Sequence, residues 1–149
     1  MSEAVMQGID LFTIESPSTE QIKTFISLVN SSPVSMQKFA ERVEDNMSRT
    51  AASTVLATGI GLYILGRNTE AIDKLGKADD CCEKYMYLAL AQRRLGRYDD
   101  AIDSFDKAAK NGAEAMAINL EKAATYRKAG KLEDAEKQLE KCANFDGVS

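Results

Sequence analysis

The sequence contains no histidine. That absence removes a Ser-His-Asp or Cys-His nucleophile pair, an imidazole-ligated zinc and an imidazole pH switch, so catalysis would have to rest on carboxylates, Lys, Tyr or a lone Cys. Only three cysteines occur, two of them the adjacent Cys81 and Cys82. They make no disulfide framework and point to a reducing compartment, which we take as the cytoplasm. Two prolines in 149 residues leave no long linker. Long apolar runs are also missing: the longest candidate, 55–65, is broken by Thr58, Gly59 and Gly61, well short of the roughly 20 apolar residues of a membrane span. Ser2 and Glu3 stand where a secretory signal would carry positive charge. Lys and Arg total 19 against 23 Asp and Glu, a net charge of -4. This is the opposite of a nucleic-acid footprint. The expectation is therefore no metal, no cofactor, no catalytic residue, no nucleic acid and no membrane.

What the chain has is repetition. Leu65-Gly66-Arg67-Asn68-Thr69-Glu70-Ala71, Leu95-Gly96-Arg97-Tyr98-Asp99-Asp100-Ala101 and Ala129-Gly130-Lys131-Leu132-Glu133-Asp134-Ala135 align with their glycines 30 and 34 positions apart. Each glycine follows an apolar-periodic stretch and precedes acidic residues, the order expected where one helix ends and another begins. Downstream, Ala71, Leu75 and Ala78, then Ala101, Phe105 and Ala108, then Ala135, Leu139 and Cys142 recur at helical spacing. Gly59, Ala89 and Ala123 hold the matching place upstream. Small residues beside large ones are what two closely packed helices require.

These motifs resemble the tetratricopeptide repeat, a helix-turn-helix unit. The second copy matches best, through Leu88, Ala89, Gly96, Tyr98, Ala101, Phe105 and Ala108. The resemblance implies an all-α fold, a right-handed superhelical array of antiparallel helix hairpins, with three units near 52–81, 82–115 and 116–149. There are departures. Gln92 replaces the usual aromatic of the second unit, Lys122 the usual Leu of the third, and the closing Pro is absent. The first unit is also four residues short, tightening its junction at 79–82.

The first 51 residues do not fit the repeat. Ser16-Pro17-Ser18-Thr19 reads as a helix start, followed by Ile22, Phe25, Ile26 and Val29 on one face. Ser32-Pro33 starts another, with Met36, Phe39, Ala40, Val43 and Met47 on one face. Residues 16–51 are expected to form a divergent helical hairpin that caps the array. Residues 1–15 read either as a further helix or as an extended arm.

In the family, the first helices of successive units line a concave groove that holds a segment of another protein. Transferred to this chain, the groove takes Leu56, Ile60 and Ile64 from the first unit, and Met86, Tyr87, Leu90, Arg93 and Arg94 from the second. The third gives Leu120, Ala124, Arg127 and Lys128. The implied partner is a protein or peptide segment with apolar anchors and acidic flanks. The places of a carboxylate clamp for chaperone tails hold Leu56, Ile60, Tyr87, Ala117 and Glu121 instead, which excludes that ligand. The first expectation is thus a non-enzymatic interaction scaffold. The alternatives are a self-associating module, with another copy on an uncovered C-terminal face, or an interaction domain of a longer, even enzymatic, chain that reads on past Ser149.

Overall fold

Four helix hairpins follow one another along the chain. The computed structural model describes residue 12 and residues 18–145, with side chains as far as residue 142 except that of residue 19; among the described residues there are eight helices and no strand. Apart from Phe12, the arm expected over 1–15 lies outside them. The chain divides into two compact units, Met1–Asp79 and Asp80–Ser149.

In the first unit, α1 (Thr19–Val29) starts at Ser18, whose Oγ accepts the Gln21 N–H at 3.1 Å while Gln21 Oε1 accepts the Ser18 N–H at 2.9 Å. This reciprocal cap satisfies two N–H groups that the first turn leaves open. Helix α2 (Pro33–Asn46) starts at Ser32, with Pro33 in the first turn where its missing N–H costs nothing. Ile22, Phe25 and Val29 are buried, as are Phe39 and Val43, and the Phe25 and Phe39 rings meet edge-on with centroids 5.1 Å apart.

Helix α3 (Ala52–Ile64) is apolar on every side, and all residues from Val55 to Leu62 are buried. Such a helix belongs in the middle of its unit. Two glycines let its neighbours close in. A Cβ on Gly59 would lie 2.7 Å from Leu75 of α4 (Asn68–Gly76), and one on Gly61 would lie 2.8 Å from Val43 Cγ2 of α2. Two positions apart is more than half a helical turn, so the glycines open opposite flanks. At the entry to α4, Arg67 donates to both Glu70 oxygens at 2.6 and 2.7 Å and to Glu44 of α2. Its guanidinium holds the Glu70 carboxyl below the usual carboxylate range.

The second unit comprises α5 (Cys82–Arg94), α6 (Tyr98–Lys110), α7 (Ala115–Lys128) and α8 (Leu132–Phe145). Helix α5 ends on Gly96 at φ +77, with the Arg97 N–H returned to the Gln92 carbonyl at 2.9 Å and the Gly96 N–H to that of Arg93 at 3.0 Å. This closure needs a left-handed residue, which glycine supplies without a Cβ clash. The register mates Gly66 and Gly130 close α3 and α7 the same way. Ala89, Ala101, Phe105, Ala108 and Ile118 form the core, with Tyr85, Met86, Leu90 and Ala113 packed against it. On α8, Ala135 and Gln138 are buried, while Leu139 is 38% exposed. Leu139 corresponds to Phe105, which α7 covers; among the described residues no helix covers α8 in the same way.

Candidate functional site

The sequence-derived groove residues separate into two groups. Leu56 and Ile60 are buried and Ile64 half-buried. The resemblance puts them on an open surface, yet α3 is enclosed, so Leu56 and Ile60 serve the core. Its unbroken apolar stretch is the signal that marks them as interior. Tyr87, expected in the groove, is only 5% exposed and likewise interior.

Within the second unit, the remaining groove candidates lie on the first helix of each hairpin. Helix α5 brings half-buried Met86 and Leu90 and exposed Arg94. Helix α7 brings Leu120, 48% exposed, half-buried Ala124, and exposed Arg127 and Lys128. On α7 the spacings of four, seven and eight from Leu120 set Ala124, Arg127 and Lys128 on one stripe. Along this stripe of α7 an exposed leucine is followed, two turns on, by a basic helix end.

Arg93 does not belong to that basic end. Its Nη1 donates to Glu121 Oε1 at 3.0 Å, to the Glu121 carbonyl at 3.3 Å and to Thr125 Oγ1 at 3.2 Å, and the guanidinium lies 5.7 Å from the Phe105 ring centroid. It is committed to tying α5 to α7. Two departures from the repeat are similarly accounted for. Gln92 Oε1 accepts the Ser104 hydroxyl at 2.7 Å, so the polar group in an aromatic's place finds a polar partner. Lys122 Nζ sits 2.7 Å from Asp106 Oδ1, an ion pair where an aliphatic contact is usual.

The adjacent Cys81 and Cys82 are held in local contacts. Cys81 caps α5, its Sγ accepting the Lys84 N–H at 3.4 Å. Cys82 donates its S–H to Glu83, and burial together with that carboxylate pushes its thiol up to about 11. It is a thiol and not a nucleophilic thiolate near neutrality. Sequence reading missed one cluster: the Tyr85 hydroxyl donates to Asp80 Oδ1 at 2.7 Å, while the Lys84 and Lys107 ammonium groups stand 5.1 and 5.8 Å from its ring centroid. The Tyr85 hydrogen bond, then Lys84, holds the Asp80 carboxyl below its usual range, and the same bond raises the Tyr85 phenol. Tyr85 follows Lys84 directly, but Lys107 comes from another helix, a juxtaposition that local spacing does not announce. Among the described residues no group of three or more His, Cys, Asp or Glu is placed to hold a metal, and no helix is long and apolar enough to cross a membrane.

The family model described as tetratricopeptide repeat matches residues 82–111, the span of α5 and α6. The chain carries a tetratricopeptide repeat. The hairpin with the best-matching repeat is thus also the one that contributes Met86, Leu90 and Arg94. Among solved structures, a crystal structure of MamA is similar at 16% identity, covering 98% of this chain and 85% of that one with a TM-score of 0.66. MamA AMB-1 is similar at 15% identity, covering 99% and 91% with a TM-score of 0.66. MamA MSR-1 is similar at 16% identity, covering 98% and 90%, again with a TM-score of 0.66. At these identities the likeness is one of fold: all-α, and repeat-like along the chain. No curated protein matches the sequence.

Proposed function

We propose that the chain is a non-enzymatic scaffold that holds a segment of another protein along α5 and α7, the first helices of the two hairpins of its second unit, with α3–α4 and α7–α8 serving as further copies of the repeat. Leu120 carries this reading. A leucine left 48% exposed two turns before the cations that end its own helix is an apolar anchor in line with positive charge. The occupant it suits is an extended or helical segment with a bulky apolar residue flanked by Asp or Glu, the acids meeting Arg94, Arg127 and Lys128. Tyr87 and Arg93 support the surface from beneath. The cysteines, all free, suit the reducing cytoplasm in which we place the protein.

Selection of a displayed random-peptide library on the full chain tests the proposal. The expected enrichment is of apolar residues with acidic flanks. Leu120→Asp should weaken a selected peptide by about 2 kcal/mol, roughly thirtyfold, without changing the helical circular-dichroism spectrum. Arg127→Glu with Lys128→Glu should remove the preference for acidic flanks. Selected peptides that bind these variants unchanged would show that the surface is not the docking site.

A further inference from the structure

Helices α6 and α8 are related by a shift of 34 positions that carries Phe105 onto Leu139, Asp106 onto Glu140 and Ala108 onto Cys142. On α6 this face is covered by α7. Phe105 is fully buried in one cluster with Ile118, and Lys122, one helical turn beyond Ile118, pairs with Asp106 at 2.7 Å. The contact has two parts: an aliphatic side chain on the large apolar residue, and a cation four positions later on the adjacent acid. Helix α8 presents the same two receptors uncovered among the described residues. Leu139 is 38% exposed, Glu140 is exposed, and Leu132, two turns earlier on the same face, is exposed as well. Exposed Glu133 and Glu136 add acidic charge to this border, with exposed Lys137 on its far flank.

We propose that this face of α8 receives a helix of a partner protein that offers an aliphatic residue to Leu139 and, four positions later, a lysine or arginine to Glu140. The face repeats the receptor half of an interface already formed within the unit, and its charge is complementary to the cation that completes that interface on α6. The inference stands apart from the groove reading, because it uses another helix and the opposite partner charge.

The probe is a side-chain-bridged helical peptide with Ile and Lys four positions apart on an Ala and Gln background, titrated by fluorescence anisotropy against the full chain. Saturable binding is expected, weakened at least about tenfold by Leu139→Asp or by Glu in place of the peptide Lys. Glu140→Lys should restore the Glu peptide, and because residue 140 is exposed this variant tests the site even if Leu139→Asp fails to fold. Leu120→Asp should leave the titration unchanged, which separates this result from failure of the groove. Equal binding of the Lys and Glu peptides to the native chain would overturn the proposal. So would a concentration-dependent mass of the chain alone, seen by light scattering and abolished by Glu140→Lys, since the face would then belong to a second copy.

Discussion

Helix α3 of the first unit and helix α7 of the second meet their neighbours by different means. In the first, α3 has no charged side chain and approaches its neighbours through shape: Gly59 admits Leu75, and Gly61 admits Val43 and Phe39. In the second, α7 carries Glu121, Lys122 and Thr125 into its contacts, bonding Arg93 on α5 and Asp106 on α6. Close packing without polar groups tolerates almost no added volume, whereas ion pairs accept changes of shape but require their partners. A single helix-hairpin plan thus accommodates two kinds of seam.

The sharpest way to break the comparison is to add a methyl group where the first unit has no room. Gly59→Ala gains about 1 kcal/mol of helix propensity but drives a Cβ to 2.7 Å from Leu75 Cγ and 3.3 Å from the Leu75 backbone nitrogen. Overpacking should win, with a net loss of about 1–3 kcal/mol in urea unfolding. Ala101→Leu, at a fully buried position, should cost the second unit about as much, because its core is no looser than that of the first. Next in size is the Lys122–Asp106 seam. Asp106→Ala leaves a mostly buried ammonium without its acid and should cost about 1–2 kcal/mol, while Lys122→Leu, which removes the charge, should be near neutral. Equal losses from both would mean that the ion pair itself stabilises the seam.

The smallest expected effects are a gain in stability and a difference in chemistry. A Cβ on Gly76 would meet nothing within 4 Å and its φ is not positive, so Gly76→Ala should stabilise by about 0.4–1 kcal/mol. Cys82, held near 11, should alkylate with iodoacetamide at pH 8 about a hundredfold more slowly than an ordinary thiol, as followed by mass spectrometry. The sign extends to stability: with a folded value above the unfolded 9.0, the contribution is intact below pH 9 and is lost as pH rises toward 11.

Local chemistry was legible in advance. Ser18 and Ser32 cap their helices as their neighbours suggest, Gly66, Gly96 and Gly130 end theirs, and the small-residue columns at Gly59, Ala89 and Ala123 are buried. These features depend on a few residues of chain. What escaped depends on partners far along it. Arg93 reads as a free helix-end cation until Glu121, 28 residues on, comes beside it, and Lys122 reads as a misfit until Asp106 appears across the contact. Periodicity identifies the apolar side of a helix but not how many neighbours cover it. For that reason Leu56, Ile60 and Tyr87, expected on a groove surface, lie inside.

The glycines at 59 and 61 have a consequence for how this protein can vary. A rod held thin on both flanks cannot yield to one side, because room made against α4 is taken from α2. Enlarging either position calls for compensating loss at Leu75 on one flank or Val43 and Phe39 on the other. Those residues are therefore bound to drift as a set, and divergence in this half of the molecule should proceed by joint replacement rather than by single steps.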